Sequence, residues 1–142
     1  MSNSLFFIPA RAGSKRVPGK NYKLLSNLPL IVYSIQFALS VSSPNDVIVV
    51  STDCPEILSI ASHYNIVIHK RPDNLAQDDS SLIDVFHDFY SNFDSPIPSQ
   101  IILLQQFQQF TCIYHYIYGH PVMHNNLLSI KHVEKSQLLY NK

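Results

Sequence analysis

Basic side chains crowd the start of the chain, at Arg11, Lys15, Arg16, Lys20 and Lys23. Arginine binds phosphate oxygens through a planar fork of N–H groups, and lysine binds them as a point charge. The same stretch contains Gly13 and Gly19, and glycine permits backbone conformations that are closed to other residues. Such a loop can turn successive amide N–H groups toward an anion. The residue types and their spacing therefore predict a phosphate-binding loop.

Charge is distributed unevenly along the 142 residues. Residues 1–45 contain five basic side chains and no acidic one, whereas residues 46–142 contain five basic and ten acidic ones. The formal net charge of zero therefore hides +5 (5 − 0) in the first part and −5 (5 − 10) in the second. A positive field confined to one loop attracts a compact polyanion and does not suit wrapping along a nucleic acid. We expect a small anionic ligand and no nucleic acid; a solvated basic loop without a ligand is the alternative.

Two common phosphate-binding motifs do not fit the loop. A Walker A motif has four residues between its glycines and then Lys-Ser or Lys-Thr. Here five residues separate Gly13 from Gly19, and Asn21 follows Lys20. The dinucleotide fingerprint Gly-x-Gly-x-x-Gly occurs nowhere in the sequence. The loop therefore belongs to neither of these two classes.

Alternating strands and helices are predicted around the loop. Apolar runs typical of buried strands occur at Leu5–Ile8, Val47–Ser51, Ile66–Ile68 and Ile101–Leu104. Helical patterns lie between them: Pro29–Val41, a helix capped by Asp53 with Glu56 three residues later, and a helix that begins at Ser81. This order predicts one domain, residues 1–142, of the α/β class, with a doubly wound, mainly parallel sheet. Ligands of such sheets bind beyond the carboxyl ends of the strands, where this loop would lie.

Composition indicates the compartment. No apolar run approaches the roughly 20 residues that span a bilayer, so we expect no membrane association and a cytoplasmic location. The two cysteines, Cys54 and Cys112, do not form a Cys-x-x-Cys pair, and we interpret both as reduced and structural.

Several short motifs, taken in order, resemble the acylneuraminate (CMP-sialic acid) cytidylyltransferase family. They are IPAR-x-GSK-x-x-P-x-KN at 8–21, PLI-x-YSI at 29–35, VVSTD at 49–53, RP-x-x-LA-x-D at 71–78 and SS-x-IDV at 80–85. Several ordered motifs are more specific than any one of them alone. The resemblance implies a Rossmann-like nucleotidyltransferase topology and transfer of a cytidylyl group from CTP to a sialic-acid-like, nine-carbon nonulosonic acid. The products would be the CMP-sugar and pyrophosphate, and the implied cofactor is Mg²⁺.

The resemblance also implies roles for individual residues. Arg11 and Lys20 would be catalytic, because they match the family's contacts to the triphosphate. The predicted substrate-binding residues are Ala10, Gly13, Ser14, Lys15, Asn21, Arg71, Ser81 and Gln105. Among these, Arg71 and Ser81 would line the pocket for the base, and Gln105 would reach the sugar acid. We assign no metal ligand. We interpret Asp53, Asp78 and Asp79 as structural residues, and metal binding by these carboxylates is the alternative.

The family pattern changes after Gln105. Family members have Gln-Pro-Thr-Ser-Pro here, and of these residues only Gln105 is present. Residues 106–126 are therefore either a shifted coding frame or a diverged insert, and the period-2 pattern of residues 112–118 predicts an aromatic strand. Family members also continue through an acidic pair that holds the metal and an arm that helps form a dimer. We expect a domain that is incomplete at its C-terminus, which leaves turnover and a homodimer open.

Two alternatives to this function remain. One is a truncated, catalytically inactive remnant that still binds a nucleotide. The other is a nucleotidyltransferase that acts on a different sugar acid or on a sugar phosphate.

Overall fold

The central feature is a six-stranded sheet. The computed structural model describes residues 3–13, 18–95, 98–106, 111–117 and 120–124, with side chains through residue 105. The strands of the sheet are β1 (Ser4–Pro9), β4 (Val47–Thr52), β5 (Val67–Lys70), β6 (Gln100–Gln106), β7 (Thr111–Ile117) and β8 (His120–His124). Their order is β5-β4-β1-β6-β7-β8. Strands β5, β4, β1 and β6 are parallel, and β7 and β8 continue the sheet in antiparallel pairing.

Helices cover both faces of the parallel strands. The helices are α1 (Leu30–Val41), α2 (Pro55–Ala61) and α3 (Leu82–Ser91). Side chains of β1 alternate between the faces: Phe6 and Ile8 pack with α1 and α2, and Phe7 packs with α3. Because both faces are covered, the strands are apolar on both sides, as the unbroken apolar runs predicted. The doubly wound α/β prediction is confirmed.

The chain order creates a crevice beside β1. From β1 the chain moves outward through β4 to β5, and then returns through α3 to β6 on the other side of β1. The strand order therefore reverses between β1 and β6, and ligands of such sheets bind at this switch point. The carboxyl ends of β1, β4 and β5 lead directly into Ala10, Asp53 and Arg71. The topology thus gathers the predicted site residues at one edge.

The helix starts differ in how well the sequence predicted them. Ser81 caps α3 as predicted, since its side chain accepts a hydrogen bond from the amide of Ile83 at 3.2 Å. The predicted cap at Asp53 is wrong. Helix α2 begins one residue later, with Cys54 at the N-cap position and Pro55 in the first turn, and no side-chain cap bond. The carboxylate of Asp53 is used elsewhere, because it accepts a hydrogen bond from the amide of Ala12.

The aromatic strand predicted for residues 112–118 is confirmed as β7 over its described part, with Tyr118 outside the described residues. It pairs antiparallel with β6. The elements that were not predicted include strand β8 and a small hairpin of β2 (Leu24–Leu25) and β3 (Leu28–Pro29). Within the described ranges, no helix is both long and apolar enough to span a bilayer.

Candidate functional site

Arg11 lies just beyond the carboxyl end of β1. Its Nη1 is 2.6 Å from Oδ1 of Asp78, and the two side chains are 28% and 41% exposed. The ion pair therefore stands at the surface of the crevice, where a ligand can reach it. Asp78 comes from the segment between β5 and α3, so this contact joins the basic loop to the segment that precedes α3.

Two side chains hold the backbone around Arg11. Nδ2 of Asn21 donates to the carbonyl oxygen of Arg11 at 3.2 Å, and the amide of Ala12 donates to Oδ1 of Asp53 at 2.7 Å. Asn21 is buried, and its Oδ1 has no hydrogen-bond partner among the described residues. A buried acceptor without a donor is costly, so this oxygen is suited to a ligand donor. The predicted binding role of Asn21 remains a prediction.

The amides of the basic loop do not all face a ligand. The amide of Ala10 donates to the carbonyl oxygen of Ser51 at 2.8 Å, and that of Ala12 is bonded to Asp53. A ligand contact of Ala10 would therefore have to use its carbonyl oxygen. Ser14 and Lys15, like the neighbouring Arg16, lie outside the described residues.

Lys20 begins a short 3-10 turn, Lys20–Tyr22, on the same side of the crevice. Burial lowers the pKa of its ammonium group, and the nearby positive charge of Arg11 lowers it further. Two cations that repel each other while partly removed from water are stabilised by a bound anion. The arrangement therefore favours a polyanionic ligand over the free state.

Gly19 has the left-handed conformation that the loop prediction required, with φ of 67°. Gly13 does not have a φ in this range, and its role in substrate binding remains a prediction. A Cβ at Gly19 would lie 2.5 Å from the ring of Tyr22, whereas a Cβ at Gly13 would meet Nη1 of Arg11 at an ordinary 3.7 Å. Of these two glycines, Gly19 alone is therefore restricted to glycine by geometry.

We predict that Gly19→Ala lowers the free energy of unfolding by about 1–2 kcal/mol, the cost of a left-handed backbone for a residue with a Cβ. Urea denaturation measures the change. Gly13→Ala is the matched control, and its unfolding free energy should differ from wild type by less than about 0.5 kcal/mol. The double variant Gly19→Ala/Tyr22→Ala removes the ring. Full recovery in that variant would attribute the loss to the clash and contradict the backbone explanation.

Arg71 follows β5 and is buried, with 5% of the residue exposed. Burial lowers the pKa of its guanidinium group; the negative charge of Asp53 acts in the opposite direction, and the positive charge of Arg11 adds to the lowering. Arg11, Asp53 and Arg71 follow the carboxyl ends of β1, β4 and β5, which lie side by side in the sheet. Nε of Arg71 donates to Oγ of Ser51 at 3.3 Å, and Nη2 donates to the carbonyl oxygen of Ser51 at 3.2 Å. The structure thus brings Arg71 to the same edge as Arg11.

The other predicted residues lie at the rim. Ser81 is exposed at the start of α3, and Gln105 is half-buried near the end of β6. No described contact joins either side chain to Arg11, so their roles remain predictions. In the part of the chain with described side chains, no three His, Cys, Asp or Glu residues are grouped to hold a metal ion.

Sequence reasoning missed the partners of the predicted cations. Asp53 and Asp78 were considered structural, but not as the residues that hold the Ala12 amide and the Arg11 side chain. Ser51 was named only as part of a strand and of the VVSTD motif, and His69 was not named as a site residue. One signal was available for Ser51, Asp53 and His69: each is a polar residue at or just after the carboxyl end of a strand, where such sheets place ligand-binding groups.

Comparison of the sequence with known proteins identifies the family of this chain. A family model described as "Cytidylyltransferase" matches residues 5–109. The chain belongs to this cytidylyltransferase family. The family match contains every described residue of the site, from Ala10 to Gln105, and the resemblance drawn from the motifs is confirmed.

Individual relatives agree with the family. The chain is 38% identical over 132 residues to the CMP-N,N'-diacetyllegionaminic acid synthase of Legionella pneumophila. The alignment covers 89% of this chain and 56% of that protein. It is 34% identical over 134 residues to the pseudaminic acid cytidylyltransferase of Campylobacter jejuni. This second alignment covers 88% of this chain and 50% of that protein. The chain thus spans about half the length of these curated relatives.

A solved structure shows the same fold. It is a CMP:2-keto-3-deoxy-manno-octonic acid synthetase complexed with CTP, and it superposes with a TM-score of 0.59 at 25% sequence identity. The superposition covers 73% of this chain and 40% of that one. The nucleotidyltransferase fold that the motifs implied is therefore confirmed.

Proposed function

We propose that the chain binds CTP in the crevice beside β1 and serves the transfer of its cytidylyl group to a nine-carbon sugar acid. The observation that carries the proposal is the meeting of Arg11, Lys20 and Arg71 at the carboxyl edge of the sheet. Burial lowers the pKa values of Lys20 and Arg71, and the positive charge of Arg11 adds to the lowering of each. A triphosphate carries compact negative charge and several acceptor oxygens, which complement three basic side chains at one edge.

Transfer of a nucleotidyl group demands little covalent help from a protein. The triphosphate must be held in line with the attacking sugar hydroxyl, and the developing charge must be neutralised. In this proposal Arg11 and Lys20 contact the phosphates, the hydroxyl attacks the α-phosphorus, and pyrophosphate leaves. Arg71 follows β5, two strands along the edge from β1, and meets an acceptor group of the nucleotide.

The expected Mg²⁺ finds no protein-made site among the described side chains. Asp53 is bonded to a backbone amide, and Asp78 is paired with Arg11. Mg²⁺ is commonly held by one or two carboxylates together with substrate phosphates. We therefore derive no step through the metal from the described residues, and its involvement remains a prediction.

Calorimetric titration of the full chain with CTP, ATP and UTP tests the nucleotide. We expect saturable binding of CTP and weaker binding of the others. Pyrophosphate release is then measured with CTP, Mg²⁺ and a panel of sugar acids and sugar phosphates, with analysis of the product. Formation of a CMP-sugar from a nonulosonic acid supports the proposal. A product from a different sugar acid or from a sugar phosphate would assign the chain to other chemistry on the same fold.

A chain that binds CTP without turnover is the second candidate. It is favoured by the fact that both carboxylates nearest to the cations are already engaged with protein groups. The same two measurements separate the candidates. Binding of CTP without pyrophosphate release would support the second one. Mg²⁺-dependent release that is lost in Arg11→Ala and in Lys20→Ala would exclude it.

Asp78 competes with phosphate for Arg11, because the same guanidinium group cannot serve both fully. We predict that Asp78→Asn tightens CTP binding about two- to fivefold, the effect of weakening one exposed ion pair. Calorimetry measures the affinity. Asp79→Asn is the matched control, since it removes the same charge from the adjacent exposed residue. A weaker affinity in Asp78→Asn than in this control would show instead that Asp78 contributes to binding.

A further inference from the structure

A continuous series of hydrogen bonds runs from the candidate site to helix α3. It begins at Nε of Arg71, which donates to Oγ of Ser51 at 3.3 Å. Oγ of Ser51 is 2.9 Å from Nδ1 of His69, and Nε2 of His69 is 2.8 Å from Oδ2 of Asp88. The four side chains come from β4, β5, the residue after β5, and α3.

The strands place these groups side by side. Ser51 and His69 are direct partners in the parallel pairing of β4 and β5. Because side chains alternate along a strand, His69 and Arg71 share the face that is covered by α3. The ring of His69 packs edge-on against Phe89 of α3, at 5.6 Å between centroids. The sheet register and this aromatic contact therefore hold the imidazole between Ser51 and Asp88.

For a neutral imidazole, the chemistry of the end groups sets the direction of every bond. A guanidinium group can only donate, so Ser51 accepts from Arg71 and its own hydroxyl proton is free for His69. A carboxylate can only accept, so Nε2 of His69 carries the proton toward Asp88. The neutral imidazole with its proton on Nε2 then accepts from Ser51 at Nδ1. One tautomer satisfies all three bonds at once.

Because these hydrogen bonds are buried, they hold the Arg71 side chain in one orientation. Ser51 is fully buried, and the His69 side chain is 10% exposed. Ser51 also receives Nη2 of Arg71 through its carbonyl oxygen, so two of the guanidinium nitrogens are held by one residue. In the part of the chain with described side chains, the remaining guanidinium N–H groups have no hydrogen-bond partner. The fixed side of the guanidinium thus faces Ser51 and leaves the other side for a ligand.

We propose that His69 and Asp88 are positioning residues for nucleotide binding: through Ser51 they fix the orientation in which Arg71 meets an acceptor oxygen of the nucleotide. This inference rests on the proposed function of the same site. Neither residue touches the ligand. If His69 cannot accept from Ser51, the Ser51 hydroxyl has to turn, and the bond that orients Nε of Arg71 is weakened.

The first measurement needs no nucleotide. Nuclear magnetic resonance of the nitrogen-labelled full chain reports the His69 tautomer and the solvent exchange of the Arg71 Nε–H. We expect the proton on Nε2 of His69 and slow exchange at Arg71 Nε–H. In His69→Leu, which has no acceptor, that exchange should become fast. In His69→Asn, whose side-chain oxygen can accept from Ser51 near the former Nδ1, it should stay slow. Unchanged exchange in His69→Leu would overturn the proposal.

The second measurement is CTP affinity by calorimetry. We expect His69→Leu to weaken binding about fivefold, the loss of one orienting hydrogen bond, and His69→Asn to restore most of it. In an Arg71→Met background, His69→Leu should cause no further loss, because it acts through Arg71. His87→Ala, an exposed histidine next to Asp88 on α3, is the control and should match wild type. Equal losses with and without Arg71 would show a merely structural role and overturn the proposal.

If His69→Leu fails to fold, Asp88→Ala tests the same proposal by the same two measurements. Asp88 is partly exposed on α3 and alanine is a good helix former, so this variant should remain folded while His69 loses its anchor. It should speed exchange at Arg71 Nε–H and weaken CTP binding about twofold. If wild type shows slow exchange but does not bind CTP, the proposed function fails and the positioning role falls with it. Slow exchange that no variant alters contradicts the positioning role alone.

Discussion

Arg11→Ala is expected to weaken CTP binding about 10- to 100-fold. A charge-assisted hydrogen bond contributes about 1.5–3 kcal/mol, and each 1.4 kcal/mol corresponds to a factor of ten in affinity. Arg11 stands at the mouth of the crevice, partly exposed and aimed by two bonds that hold the neighbouring backbone. The substitution keeps that backbone and removes only the guanidinium group. Calorimetric titration of both proteins with CTP measures the difference.

Lys23→Ala is the matched control for this loss. It removes the same charge from the same basic segment, but Lys23 is exposed beyond the 3-10 turn. A long-range effect of net charge would weaken CTP binding in both variants by similar factors. Direct contact with phosphate predicts a large loss in Arg11→Ala alone. Arg11→Lys separates the two further, because it keeps the charge and loses the planar fork.

Local patterns predicted the parts of this protein that depend on local physics. The apolar runs at β1 and β4 predicted buried strands because burial on both faces demands apolar residues at every position. The helical stripe at Leu30–Val41 and the cap at Ser81 follow from interactions within a few residues. From these elements alone the doubly wound order could be inferred, and with it the edge at which Arg11 and Arg71 meet.

The partners of the site residues could not be predicted in the same way. Arg11 is paired with Asp78, and Asp53 with Ala12, across separations in sequence that no periodicity covers. The Asp53 case shows why a local pattern can mislead. Its spacing from Glu56 fits a helix cap, yet the carboxylate reaches across the sheet edge to the amide of the loop. Tertiary geometry decided between two acceptable partners for one carboxylate.

The largest expected effect on stability comes from Asp53. Its carboxylate accepts from the Ala12 amide at 2.7 Å, and its negative charge opposes the lowering of the pKa of the buried Arg71. Asp53→Ala removes both effects and leaves the guanidinium group without a nearby opposite charge. The variant loses one charge-assisted hydrogen bond and leaves the buried Arg71 repelled by Arg11. We therefore predict that the free energy of unfolding falls by roughly 2–4 kcal/mol.

Asp53→Asn divides this loss into its two parts. The asparagine oxygen can still accept from Ala12, so the difference between the alanine and asparagine variants measures the hydrogen bond, and the difference between asparagine and wild type measures the charge. Asp94→Ala removes an exposed carboxylate and should lie within about 0.5 kcal/mol of wild type. Urea denaturation of the three variants gives the values. If Asp53→Ala were as stable as Asp94→Ala, Asp53 would not be holding the loop, and the placement of Arg11 would need another explanation.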